Sequence, residues 1–371
     1  MNGGTNGGMN GTELHDAPVL VDSVRLRELT EAVLEAAGFR PADAALVAEV
    51  LVEADLRGVD SHGVTRLAGY LEMIEAGHVN PRPQVSYERE SGATALLEGD
   101  SGIGIIAARE AMDRAISLSA DSGVACVALR NVSHTGLLGW YTMRAARRGL
   151  IGIAMNNGPC MTPPFGGLEP LAATNPISIA APSGGPHPIV LDMATTTVAA
   201  GKIRLARKLG QSIPADWGLD RDGQPCTDPA EVIDNGSYQW TGGYKGFGLA
   251  TMIEILSGVL SGGLFGRDVP KMIEYGRDPL ISSGFYMAID VERFLPLEDF
   301  RSRVDRLVEQ VRQTDPIDAA QPVLVAGDKE LACREIRLRE GIPISRQVAD
   351  ELDGLLERFT LSGVARLRSG S

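Results

Sequence analysis

The chain has 371 residues, 44% of them hydrophobic and 22% charged, which suits two packed cores of an ordinary globular protein. A formal net charge of -13 argues against nucleic acid or an anionic membrane surface as the main partner, because phosphate recognition needs clustered cations. A small anionic substrate remains open, since one local arginine can hold it.

Met1 to Gly11 is rich in Gly and Asn and has no apolar core, so residues 1–18 read as a disordered tail and not a signal peptide. Leu26, Leu29, Val33 and Ala37 recur on one face and predict a helix opened by Asp22 or Ser23 and stopped by Gly38. Pro41 and Asp43 open a second helix that Gly58 ends, and a third covers Leu67 to Ile74 and stops at Gly77. A helix from Ile105 to Ser119 precedes a strand from Val124 to Leu129. Tyr141 to Arg148 reads as a short helix and Leu150 to Met155 as a strand. Asn156 to Asn175 is too rich in Gly, Pro and Asn for a long element and suits an active-site loop. Strands at Ile177 to Ala181 and Ile189 to Leu191 lead to a helix from about Thr195 to Leu209. Residues 211–243 read mostly as loop, Lys245 to Ser261 as helix and Phe285 to Val291 as strand. The remainder reads as helical apart from a strand at Val323 to Val325. The alternation indicates an α/β protein with helical N- and C-terminal parts. No run reaches membrane-spanning length, and the scattered Cys126, Cys160, Cys226 and Cys333 suit reduced thiols in the cytoplasm.

Of five histidines, two stand in glycine-bounded polar turns: Asp60-Ser61-His62-Gly63 and Asn131-Val132-Ser133-His134-Thr135-Gly136. Imidazole is the side chain best suited to move protons near neutral pH. The plain reading of His62 is a backbone partner at a helix start. Arg66, four residues on, favours a site, because its guanidinium can grip a carboxylate with two parallel hydrogen bonds. For His134, Asn131 and Ser133 are available to orient the ring. Asp192 closes a strand, where α/β sheets commonly place ligands, although a helix-start acid is its plain reading. His15, His78 and His187 read as solvated.

Gly99, Gly102 and Gly104 form GxxGxG, the wrong order for a Rossmann fingerprint, which is GxGxxG after a strand. The spacings of zinc hydrolases, the GxSxG elbow and the P-loop are not found, and no metal is expected.

The segment Ala54-Asp55-Leu56-Arg57-Gly58-Val59-Asp60-Ser61-His62-Gly63 closely resembles the N-terminal signature of the malate/L-lactate dehydrogenase family of the second type, also called L-sulfolactate dehydrogenase-like or ureidoglycolate dehydrogenase family. The resemblance continues through Ser133-His134, Pro164-Phe165-Gly166-Gly167, Thr174-Asn175-Pro176, Leu191-Asp192-Met193-Ala194-Thr195, Gly201-Lys202-Ile203 and Gly243-Tyr244-Lys245-Gly246-Phe247-Gly248. It runs in order from about residue 20 to 345. Three segments depart from the family pattern: Ala173-Thr174-Asn175-Pro176 where Gly-Thr-Asn-Pro is frequent, Ser283-Gly284-Phe285 in place of a Gly-His-Phe pattern, and Ala326-Gly327-Asp328 in place of Pro-Gly-Glu.

The resemblance implies a non-Rossmann, L-sulfolactate dehydrogenase-like α/β fold. A cofactor domain would cover residues 124–291, with a helical substrate and dimerisation domain from residues 19–123 and 292–371. It implies NAD(P)-dependent hydride transfer at C2 of a small 2-oxo or 2-hydroxy acid, or reduction of a cyclic imino acid, in a homodimer or higher even oligomer. A redox-inactive binding protein on the same fold is the alternative of another class. His62 is expected to transfer the proton with Ser61 orienting it, His134 is the second acid/base, and Asp192 orients a histidine or the cofactor. Arg66 and Thr174 are expected at the substrate. Asn156, Asn157, Gly158, Asp192, Met193, Ala194, Lys245, Gly246, Gly327 and Asp328 are expected at the cofactor. Lys202, Arg204, Arg207 and Lys208 incline the expectation towards a cofactor with a 2′-phosphate, NADPH, with Asp220 the acid that would instead suit a free ribose.

Overall fold

The computed structural model describes residues 17–208, 210–272 and 274–367. His15 and most of the expected tail lie outside them. In chain order the elements are β1 (Val19–Val21), α1 (Ser23–Ala36), α2 (Pro41–Leu56), α3 (Leu67–Glu75), β2 (Ser86–Ser91), β3 (Thr94–Gly102), α4 (Gly104–Ser122), β4 (Val124–Val132), α5 (Leu138–Ala146), β5 (Leu150–Asn156), β6 (Ile177–Ala181) and β7 (Ile189–Met193). There follow α6 (Ala200–Lys208), β8 (Gly218–Leu219), β9 (Pro225–Cys226), α7 (Pro229–Asp234), β10 (Ser237–Tyr238), α8 (Tyr244–Glu254), β11 (Ser282–Asp290), α9 (Leu297–Arg312), α10 (Asp328–Glu340), β12 (Ile342–Ile344) and α11 (Arg346–Arg358).

Two compact units emerge, one from residues up to Ala68 and from Glu330 onward, the other from Gly69–Lys329. The sequence reading divides the chain at 123 and 291 instead. The pairing of β3 with β4 carries one sheet across residue 123.

In the first unit, Asp22 caps α1 by accepting the N–H groups of Val24 and Arg25, as its position before the apolar stripe predicts. Leu26, Leu29, Val33 and Leu34 of α1 and Val47, Val50 and Leu51 of α2 are fully buried. The antiparallel pair of β1 with β12, Val19 opposite Ile344, joins the two ends of this unit. Neither three-residue strand is long enough to leave a period in the sequence.

The second unit is built on a seven-stranded sheet in the order β2-β3-β4-β11-β5-β6-β7. Only β3 and β4 run parallel. This is a mixed α/β sheet and not a doubly wound parallel one, as the misordered glycines lead one to expect. Helix α4 packs small residues, Ala107, Ala108, Ala111 and Ala115, into the core. The hairpin of β2 and β3 escapes the sequence reading because β2 is exposed along its whole length and so carries no apolar alternation. Residues 211–243, read as mostly loop, hold the small sheet β10-β8-β9 and α7 around Ile203, Ile213, Val232 and Tyr238.

Three other expectations need correction. The helix placed at Thr195 begins at Ala200, because the Thr195 and Thr197 N–H groups donate to Thr174 and Gln239 carbonyls. Val323 to Val325 forms no strand; Val325 N–H instead donates to the Asp328 carboxylate. His78 and His187 are half-buried and not solvated, and His78 Nδ1 is buried without a hydrogen-bond partner. Among the described residues no helix is long and apolar enough to cross a membrane.

Candidate active site

Chemistry-bearing groups occur in both units. In the first, α2 ends at Leu56 and two successive 3-10 turns, Asp60–His62 and Val64–Arg66, lead to α3. The turns are shaped by Asp55, which is 2% exposed and accepts Val64 N–H at 2.8 Å. A Cβ on Gly63 would lie 1.8 Å from Asp55 Oδ1, so only glycine permits this approach. Burial pushes the Asp55 carboxyl up to about 8, against the lowering effect of the Val64 N–H and with a further rise from Asp60. Arg337 binds the Asp60 carboxylate and the Asp55 carbonyl, and fixes the turn from its other side.

On this support His62 Nδ1 lies 3.0 Å from Ser61 Oγ, and Arg66 Nε donates to Ser61 O at 2.6 Å. His62, Ser61 and Arg66 therefore form one cluster, as their spacing predicts. His62 keeps partial exposure, but its ring is enclosed, and burial followed by the Arg66 charge pushes it down to about 3. Both effects favour the uncharged imidazole over the imidazolium.

In the second unit, His134 Nδ1 lies 2.7 Å from the hydroxyl of fully buried Tyr70, and Gly136 N–H approaches the same nitrogen at 3.3 Å. A backbone N–H can only donate, so Nδ1 accepts and the neutral ring carries its proton on Nε2. Asn131 and Ser133 do not orient this ring, contrary to expectation. Asn131 Nδ2 donates to Glu98 and Ser133 Oγ to Gly102 O, so both shape the turn beneath it. Gly104 serves the same turn: a Cβ there would lie 2.6 Å from Ser133 O. The glycine run that resembles a misordered fingerprint is thus a packing device. Tyr141 donates to Thr135 O and Ser282 to Ser133 O, which completes the frame.

Asp192, exposed on β7, accepts Gly139 N–H at 2.6 Å in the first turn of α5. It thereby ties the end of β7 to the segment just after His134. Asn156–Gly158 and Lys245–Gly246 gather near the same strand end, whereas Gly327 and Asp328 lie near the start of β7. Thr195 donates to the carbonyls of Thr174 and Asn175, and its own carbonyl accepts Thr241 N–H ahead of Lys245 and Gly246. Ala326 O accepts Val190 N–H, which places Gly327 and Asp328 beside β7. Asp328 is itself paired with Arg312. Asn156 and Asn157 end β5 as buried amides: Asn156 accepts Tyr286 OH at 3.0 Å and Asn157 Oδ1 accepts Ser283 N–H at 2.7 Å. Gly158 is buried beside Ala173, and Met193 and Ala194 are half-buried.

Of the basic residues on α6, Lys202 and Arg204 are exposed, Arg207 pairs with Asp234, and the side chain of Lys208 lies outside what is described. Asp220 closes a turn by accepting the Asp222 and Gln224 N–H groups. Among the described residues no cluster of His, Cys, Asp and Glu could hold a metal. Tyr70, Asp55 and Glu254 are the residues the sequence reading missed. Each shares its helix with other polar residues, so polarity alone did not mark it out in the sequence.

The profile of the malate/L-lactate dehydrogenase family matches residues 21–353. The chain belongs to that family. It is 38% identical over 353 residues to a malate dehydrogenase of Pyrococcus horikoshii, covering 93% of this chain and 97% of the relative. It is 37% identical to the ureidoglycolate dehydrogenase (NAD(+)) of Escherichia coli K12, over 86% of this chain and 90% of that one. The sulfolactate dehydrogenase structure from Methanocaldococcus jannaschii superposes with a TM-score of 0.86 at 33% identity, covering 92% and 97% of the two chains. The family member described here is therefore an oxidoreductase, an enzyme of the dehydrogenase and reductase type with their shared mixed α/β fold.

Proposed function

We propose that this enzyme interconverts a small 2-hydroxy acid and its 2-oxo acid with a nicotinamide dinucleotide as redox partner. The observation that carries the reading is the gathering of Asn156–Gly158, Asp192–Ala194 and Lys245–Gly246 around the end of β5 and the end of β7, with Thr174 beside them and the His134 turn tied to Asp192. The groups suit a dinucleotide. Helix α8 starts at Gly243 without a side-chain cap and next to the exposed Lys245, which fits a diphosphate, while exposed Asp192 can accept from a ribose or carboxamide. The bound nicotinamide supplies or takes the hydride.

The protein's own part is proton transfer and orientation. Arg66 holds the substrate carboxylate, and neutral His62 takes the hydroxyl proton in the oxidation direction, with Ser61 bonded to its Nδ1. A carboxylate on Arg66 cancels the charge that helps depress His62, so the protonated form needed for reduction becomes easier to reach. His134, with its proton on Nε2, is the second acid/base. Self-association into a dimer is supported by the exposed apolar face at Leu249, Met252, Ile255, Val259 and Leu260, a patch that solvent alone disfavours.

Following dinucleotide absorbance with panels of 2-oxo acids and cyclic imino acids tests the reading. Turnover of 2-oxo acids is expected, turnover of imino acids alone would move it to C=N reduction, and no turnover or dinucleotide binding would overturn it. Exposed Lys202 and Arg204, with Asp220 committed to its turn, support NADPH over NADH. A tenfold higher kcat/KM with NADH, about 1.4 kcal/mol, would reverse that preference.

A further inference from the structure

We infer that Glu254 is a positioning residue whose carboxylate sets the cofactor-side segment Asn156–Gly158 against the Thr174–Asn175 loop; this rests on the functional reading above. Glu254 is the last residue of α8, and a π-helical turn, Ile255–Val259, follows it at once. Such turns are uncommon and often mark functional sites. Its Oε1 accepts Asn157 Nδ2 at 3.0 Å and Gly266 N–H at 2.9 Å, and its Oε2 accepts Asn175 Nδ2 at 2.7 Å. One side chain therefore joins the end of β5, the loop before β6 and the loop after the π turn.

The donor pattern explains why a carboxylate is needed. All three partners can only donate through the atoms they present, and they address both oxygens. An amide of the same size has one acceptor oxygen, so Glu254→Gln must turn an NH2 group towards at least one donor. Both asparagines are also held by other groups. Asn157 Nδ2 also donates to Leu264 O, and its Oδ1 is held by Ser283 N–H. Asn175 Nδ2 also donates to Ala250 O, and its backbone sits at φ +34°, a left-handed conformation that needs outside support. A Cβ on Gly258 would lie 2.7 Å from Asn157 Nδ2, so the π turn is packed directly against the same amide.

The sign of the effect separates positioning from simple electrostatics. Dinucleotides are anionic, so removal of a negative charge in this unit would by itself tighten binding or leave it unchanged. The positioning role predicts the reverse.

The test is NADH and NADPH affinity of the full-length enzyme, measured by nucleotide fluorescence, for wild type, Glu254→Gln and Glu254→Asp. Loss of one charge-assisted hydrogen bond predicts that Glu254→Gln raises the Kd of the preferred cofactor about tenfold. The KM for the hydroxy acid should rise less than the cofactor Kd, a split that general destabilisation does not produce. Glu254→Asp keeps both acceptors on a shorter stem and should fall between, and it decides the matter if the Gln variant does not fold. Unchanged or tighter cofactor binding in the folded variants overturns the role of Glu254. Wild-type protein that binds neither dinucleotide overturns the functional reading itself, which distinguishes the two failures.

Discussion

Tyr70 Oη and His134 Nδ1 stand 2.7 Å apart, and Tyr70 is wholly buried. The phenol and the Gly136 N–H together fix which ring nitrogen of His134 carries the proton of the neutral ring. Tyr70→Phe keeps the volume and removes only the hydroxyl. One neutral hydrogen bond of about 1–1.5 kcal/mol corresponds to roughly a tenfold fall in kcat/KM. The pH–rate profile should shift as well. An unchanged rate and profile would show that Tyr70 only fills space.

Removal of either histidine tests the division of labour. General acid–base catalysis contributes roughly 10²–10⁴-fold, so His62→Ala should lower kcat by that order while cofactor affinity stays near wild type. His134→Ala should show a smaller loss if it is the secondary group. A larger loss in His134→Ala would exchange their roles, and weakened cofactor binding in His62→Ala would mark that residue as structural.

Arg66→Lys should raise the substrate KM by about an order of magnitude, since an ammonium cannot reproduce the two parallel bonds of a guanidinium. It also loses the Nε bond to Ser61 O, so a modest fall in kcat should accompany it. Steady-state kinetics with the best 2-oxo acid reads both. A KM equal to wild type would remove Arg66 from the substrate.

Two buried groups make opposite contributions to stability against pH. Asp55 binds its proton more tightly folded than unfolded, so stability falls as pH rises from about 4 to about 8. His62 binds its proton less tightly folded, so its contribution rises with pH from about 3 to 6.5. The terms oppose each other up to pH 6.5, and only the Asp55 loss continues above it. Denaturant unfolding between pH 6.5 and 8 should lose stability with a slope of at most about 1.4 kcal/mol per pH unit. Asp55→Asn should flatten that slope; a slope equal to wild type would place the proton elsewhere.

Gly63→Ala should be among the most damaging small substitutions, because its methyl group would overlap the Asp55 carboxyl. Overpacking of this kind costs about 1–3 kcal/mol, seen as a lower denaturation midpoint. Activity should fall too, since the displaced turn carries Ser61 and His62. Full activity with normal stability would mean the turn can shift without consequence.

Periodicity and helix punctuation made α1, α2 and the strands β4 to β7 legible, because an amphipathic face and a cap are local properties of the chain. The misplaced glycine order correctly set aside a Rossmann sheet. Local pattern could not reveal β1, β2 or β12, whose stability comes from a partner strand or leaves no apolar alternation. For the proposed function, the sequence offered the candidate groups: His62 with Arg66 one helical turn away, His134 in a polar turn, and Asp192 at a strand end. Tertiary structure decided their chemical state. Burial and the neighbouring guanidinium hold His62 below the usual imidazole range, a tyrosine 64 positions away sets the His134 proton, and Glu254 joins asparagines 97 and 79 positions before it. Desolvation and hydrogen-bond direction depend on which groups the fold brings within about 3 Å, and no local pattern carries that information.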